Sequence, residues 1–183
     1  MNDPVLAAVV RAATSATGAS AGWIVAVRGD ELEVVAVSGD VDPAIVGTRV
    51  SGASGTAGYV VGSGQPMALA SGRDDPRLGE GVAAAAGRRP ASVVSVPCED
   101  DSAVAGALEL IDKAGGGSFS FDDVELATLL AGIAAAALTS GADERRLVPA
   151  PEELSGGLRA LAAADPSRYA TTATLVASLL ARD

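Results

Sequence analysis

Chemistry in this 183-residue chain has to come from a short inventory. There is one cysteine, one lysine, one tryptophan, two clusters of carboxylates, a glutamate inside an apolar run, and no histidine. Without imidazole there is no Ser-His-Asp triad, no histidine general base, no histidine-ligated haem and no phosphoacceptor histidine. Cys98 follows Pro97 at the entry to Glu99-Asp100-Asp101. Thiol–disulfide exchange needs an attacking thiolate and a resolving partner. No second cysteine exists, and neighbouring carboxylates raise a thiol pKa, so Cys98 reads as a small packed residue. Glu99-Asp100-Asp101 and Asp122-Asp123-Glu125 carry oxygen ligands of the kind that hold Ca²⁺ or Mg²⁺. The first cluster falls in a turn and the second at a helix start, where acids are ordinary, and neither has EF-hand spacing. No metal or cofactor is expected. Gly52 to Gly58 lacks a Gly-x-Gly-x-x-Gly order, and the sole lysine precedes Ala114, so there is no Walker sequence. These glycines read as a tight turn into a short helix.

Glu109 is more informative. It interrupts the apolar run Val104 to Ile111, which places a carboxylate in the middle of a core strand. A buried carboxylate needs donors or a raised pKa. Two readings stand: strand alternation sends Glu109 to a solvated face, or it is a polar anchor in a ligand cavity.

The elements that must hold these residues are readable in order. Asp3-Pro4 caps a helix whose apolar residues Val5, Leu6, Val9, Val10 and Ala13 recur at helical spacing, and Gly18 ends it. Gly22 to Val27 and Leu32 to Val37 flank Gly29-Asp30 as a β-hairpin. Ser38 to Gly64 is a Gly, Ser, Asp and Pro segment with one short helix around Thr56 to Val61. Met67 to Ala70 is a short strand, Arg73 to Leu78 a loop, and Gly81 to Gly87 one or two helical turns. Ser92 to Val96 and Val104 to Ile111 are strands. Ser120, with Asp123 three residues on, caps a long helix to about Thr139. The layout predicts an α+β fold with a central antiparallel sheet. Pro149, Pro151 and Pro166 set off two further short helices.

Charge supports two units. Residues 1–141 hold 17 acidic and 8 basic side chains, and residues 142–183 hold 6 and 5, within a net charge of −10. That acidity argues against binding nucleic acid or an anionic membrane. Val124 to Leu138 is too short and too weakly apolar to span a bilayer, and no signal peptide is read. A cytoplasmic protein is expected.

With the elements in this order, the chain resembles the GAF domain family, and in particular stand-alone bacterial sensory domains of that family. The resemblance is carried by Thr17 to Trp23, by Gly52 to Gly64 with Gln65-Pro66, and by Asp75-Pro76-Arg77. It continues through Ser92 to Pro97, Ala105 to Lys113 and Phe119 to Leu126. It covers roughly residues 4–140. It implies a GAF-like domain over 1–141, with N- and C-terminal helices packed on one face of the sheet and crossover loops and short helices on the other. Residues 142–183 form a C-terminal helical extension without a counterpart.

In cyclic-nucleotide-binding members, an Asn-Lys pair is followed by Phe and then Asp-Glu. Here Lys113, Phe119 and Asp123 match, whereas Asp112 and Val124 replace the Asn and the Glu. The resemblance implies a structural Lys113–Asp123 ion pair, and the lost residues argue against cyclic-nucleotide binding. It also implies a pocket between sheet and crossover, with Trp23, Tyr59, Met67, Leu69, Arg73, Asp74, Asp75 and Glu109 as candidate lining. Bilin attachment beside a histidine is excluded.

The expectation is a non-enzymatic sensory or regulatory domain that binds an unidentified small molecule. Small-residue faces at Ala7, Ala8, Ala12 and Ala13, and at Ala127, Ala131, Gly132 and Ala134 to Ala136, predict a homodimer through the terminal helices. Any output would lie on a separate protein. The rival readings are an interaction module with its pocket filled by its own side chains, and a divergent free methionine sulfoxide reductase.

Overall fold

The computed structural model describes residues 3–70, 75–101, 103–147 and 151–180. Helix α1 (Pro4–Thr17) starts where Asp3 accepts from the amides of Val5 and Leu6, and stops at Gly18 in the left-handed conformation. The same Asp-Pro device recurs. Asp42 and Asp75 cap 3-10 turns at Pro43–Ile45 and Pro76–Gly79, and Asp165 accepts from Arg168 at the start of α6 (Pro166–Leu180).

Strands β1 (Ala19–Arg28) and β2 (Glu31–Gly39) form a hairpin whose two-residue turn uses a positive φ at Gly29. The remaining strands are β3 (Arg49–Ser51), β4 (Met67–Ala70), β5 (Ser92–Glu99) and β6 (Val104–Lys113). They pair in the order β3-β2-β1-β6-β5-β4, antiparallel throughout. β3 is the strand that the sequence does not announce, because three residues cannot display an alternation.

Alternation splits the core into two layers. Ile24, Ala26, Val94, Val96, Leu108 and Leu110 face α1 and the helix α4 (Phe121–Leu147), meeting Val10, Ala127, Ala131 and Ala135. Trp23, Val25, Val93, Ala107 and Ile111 face the other way. They are roofed by α2 (Gly55–Ser63) and α3 (Gly81–Ala85) through Ala57, Val60, Val82 and Ala83. The two roof helices cross closely at their starts. Gly55 has φ +71°, and a Cβ there would meet the Glu80 carbonyl oxygen at 3.0 Å; Gly81 has φ +60°, and its Cβ would meet the Ser54 carbonyl oxygen at 2.9 Å.

α4 runs to Leu147, past the expected end near Thr139. A lone Gly141 costs only about 1 kcal/mol in a helix, and the helix formers that follow it carry the turn onward. The chain divides into two compact units, 1–141 and 142–183; the second contains α5 (Pro151–Ala164) and α6. Among the described residues no helix is long and apolar enough to cross a membrane.

Candidate functional site

Register places one polar row across the sheet beneath α2. Glu109 on β6 lies opposite Trp23 on β1 and Ser95 on β5, and the row continues to Val37 on β2 and Met67 on β4. Alternation does turn Glu109 away from α1 and α4, but the face it reaches is covered. Its 2% exposure rules out the solvated-face reading. The start of α2 comes down on the row: the Thr56 hydroxyl donates to Glu109 Oε2 at 2.5 Å, and the Ala57 amide also supports the carboxyl.

Burial dominates its electrostatics. Desolvation pushes the Glu109 pKa from 4.5 up to about 7, against the lowering effect of Thr56, Ser95, Trp23 and the Ala57 amide. Ser95 and Trp23 are near enough to act on the carboxyl's charge, but they do not complete a hydrogen bond with it. Trp23 Nε1 and Ser95 Oγ are the two buried side-chain polar atoms without a hydrogen-bond partner among the described residues. An unmade bond of this kind costs about 1–3 kcal/mol per group. Both orphans flank the same carboxyl.

The other candidates fall in different places. Met67 sits two strands along the row from Glu109, and Leu69 follows on β4 opposite Val93; both are half-buried against the α2–α3 layer. Tyr59 is not in the cluster. It is 44% exposed on the outer side of α2, with the Arg77 guanidinium 5.0 Å from its ring centre, because the helix turns it about 200° from Ala57 and about 100° from Val60, away from the inward stripe. Asp75 is likewise not in the cluster, being engaged locally. It caps its 3-10 turn and binds Arg77 at 2.9 and 2.6 Å, and that guanidinium holds its pKa down to about 2. Arg73 and Asp74 lie outside the described residues. Thr56 and Ser95 are the members that sequence reasoning missed. Thr56 sits in a segment read for its glycines, and Ser95 is marked only by being opposite Glu109.

At the far end of β6, Lys113 Nζ donates to the Thr17 carbonyl at 2.6 Å and to both Asp123 carboxylate oxygens at 2.8 Å. Asp123 and Ser120 close a reciprocal capping box at the start of α4, through Ser120 N to Asp123 Oδ2 and Asp123 N to Ser120 Oγ. Burial raises the Asp123 pKa, but Lys113 and Ser120 outweigh it and leave the carboxyl below its usual range. Asp112, which replaces the Asn of the cyclic-nucleotide-binding pattern, has φ +55° and accepts from the Ala91 amide and from Arg88. Asp and Asn share the tolerance for the left-handed region that this turn requires. Cys98 is buried, and desolvation, rather than its acidic neighbours, pushes its pKa up to about 12. No group of side chains suited to a metal ion occurs among the described residues.

A six-stranded antiparallel sheet with terminal helices on one side and a polar cluster under short crossover helices on the other defines an α+β domain of the type that is typically sensory or ligand-binding. The chain belongs to the GAF domain family, which it matches over residues 3–139. Solved structures share the fold. The GAF-B domain of DevS from Mycobacterium smegmatis has 23% identity and a TM-score of 0.61, over 79% of this chain and 97% of that one. The GAF domain of a phosphoenolpyruvate-protein phosphotransferase from Acinetobacter has 16% identity and a TM-score of 0.63, over 75% and 82%. The free methionine-R-sulfoxide reductase from Neisseria meningitidis, solved with its substrate, has 21% identity and a TM-score of 0.60, over 80% and 82%. No curated protein matches significantly.

Proposed function

We propose that this chain is a non-enzymatic sensory or regulatory GAF domain whose small-molecule site is the Glu109 cluster beneath α2. One observation carries the reading: a fully covered carboxyl in the sheet is flanked by two buried donors, Trp23 and Ser95, that no described group satisfies. A fold with no use for that row would replace it with aliphatic residues, since an unpaired buried polar group only costs stability. β6 is suited to carry the signal. It bears Glu109 on the ligand side and Leu108 and Leu110 on the side packed against α1 and α4. Output runs through those terminal helices, as a homodimer or onto a separate protein.

The reductase reading lacks its chemistry. The sole thiol, Cys98, is buried and held protonated, and it faces the α1–α4 layer, opposite Glu109. Close packing of Trp23 and Ser95, both fully buried, favours the second reading, an interaction module closed over its own side chains.

Trp23 decides between them, because it is the only tryptophan and gives the only indole N–H resonance. A protein-free dialysate of cell extract is expected to shift that resonance in the wild-type chain and to leave it in place in Glu109→Gln. An unmoved resonance in both proteins would refute the sensory reading in favour of the closed module.

A further inference from the structure

The class of ligand follows from what the cluster lacks, given the reading of Glu109 as the small-molecule site, on which this step rests. The carboxyl of Glu109 has about four acceptor directions. Thr56 and the Ala57 amide come from the roof and use part of that capacity. Trp23 Nε1–H is a donor only and completes no bond among the described residues, so an acceptor on a ligand would satisfy it. Ser95 Oγ either donates or accepts. A complementary group therefore accepts from Trp23 and donates to Glu109. An organic ammonium has no acceptor for Trp23. A carboxylate or phosphate brings a full negative charge into a buried cluster where, among the described residues, no lysine or arginine acts on Glu109, which is costly whether Glu109 is ionised or protonated.

We infer that the cluster binds the edge of a small uncharged carboxamide or lactam, whose N–H donates to Glu109 and whose carbonyl oxygen accepts from Trp23 Nε1–H and Ser95 Oγ–H. The geometry of the row favours an edge over a single atom. Trp23 and Ser95 approach Glu109 from the two neighbouring strands, each about 4.8 Å away. An amide offers its oxygen and nitrogen about 2.2 Å apart on one rigid plane. A lone hydroxyl has to serve all three side chains from one oxygen. Val60, Val93, Ala107 and Val82, buried in the same layer of the core, are apolar and suit the hydrocarbon part of such a molecule.

The test uses the Trp23 indole resonance of the full chain, with acetamide and 2-pyrrolidinone as probes. Acetate, methylammonium and isopropanol serve as controls of similar size. Acetamide and 2-pyrrolidinone are expected to move the resonance saturably, and the three controls are expected not to. At pH 8, where Glu109 is ionised, replacing a charge-assisted acceptor by a neutral one roughly halves the hydrogen bond, so Glu109→Gln should weaken the lactam about tenfold. Ser95→Ala, which trims a single hydroxyl, should weaken it severalfold and serves if Glu109→Gln does not fold. No movement with either amide probe overturns the inference, as does equal movement with a control. A response to a control or to the cell dialysate alone overturns the ligand class but keeps Glu109 as the ligand site. Silence with every addition overturns both.

Discussion

A carboxyl that folding moves from 4.5 to about 7 makes stability depend on pH in a direction opposite to ordinary acid denaturation. The protonated form is favoured in the folded state, so between these values the unfolded chain holds fewer protons and stability falls as pH rises. The contribution is complete below about pH 4.5 and is lost as pH passes through about 7. At about 1.4 kcal/mol per pKa unit, the loss is about 3 kcal/mol. Asp75 and Asp123, with lowered pKa values, act with the opposite sign at the acid end and do not involve Glu109. The quantity to measure is therefore the urea-unfolding free energy of the wild type minus that of Glu109→Gln, at pH 4.5 and at pH 8. It should become less favourable by about 3 kcal/mol across that interval; a flat difference would show that Glu109 titrates normally and that the row is wet. Glu109 was legible in the sequence, because an acid in an apolar strand marks itself by type, whereas Trp23 is marked only through the pocket that the family resemblance implies. Thr56 and Ser95 were not legible. Their role depends on register and on where α2 descends, and a one-residue slip would turn Ser95 to the opposite layer.

At the scale of elements, the chain was legible wherever a local rule acts on adjacent residues. Asp3-Pro4 and Gly18 bound α1, the Gly29-Asp30 turn sets the hairpin, and Ser120 with Asp123 starts α4. It was illegible where stability comes from afar, as for β3, which exists by pairing Arg49, Val50 and Ser51 with β2. Lys113 stands between these cases, a local rarity with a distant function. Its three ammonium protons are spent on Thr17 O and the two oxygens of Asp123, joining the end of α1, the end of β6 and the start of α4. Lys113→Met leaves the buried Asp123 without its counter-charge and should lower unfolding stability by about 2 kcal/mol. Lys113→Arg should recover only part of that loss, since a planar fork does not converge three donors on a point. Chemical denaturation of the three proteins checks this. Full recovery by arginine would mean that charge alone, and not the tripod, ties the elements together.

For the molecule as a whole, the two faces of the sheet differ in how they finish. On the α2–α3 side the large outward side chain, Tyr59, is already engaged by Arg77. On the α1–α4 side, Leu129 is 73% and Ile133 52% exposed, and Val5 is also exposed. A groove of about 430 Å³ between the two helices is lined by Val5, Ala8, Ala12, Leu130 and Ile133, with no charged residue among its lining. Contiguous apolar surface of this kind marks an association site. A second copy offering the same two helices would bury it by a symmetric, self-complementary contact. The chain's net charge of −10 opposes that approach at long range, while the patch itself is neutral. Added salt should therefore tighten the dimer by screening the repulsion, which is the reverse of what it does to a contact held by ion pairs. Light scattering should give a dimer mass at micromolar concentration, with less dissociation at 0.5 M salt than at roughly 0.05 M salt. Leu129→Glu with Ile133→Glu should give a monomer with unchanged far-ultraviolet circular dichroism, because both side chains already stand in water and neither belongs to the buried core. A wild type that is monomeric at both salt concentrations would remove the homodimer and leave the groove to a different partner. A double variant that stays dimeric would move the interface off these helices, and with it the route by which β6 would pass on the state of Glu109.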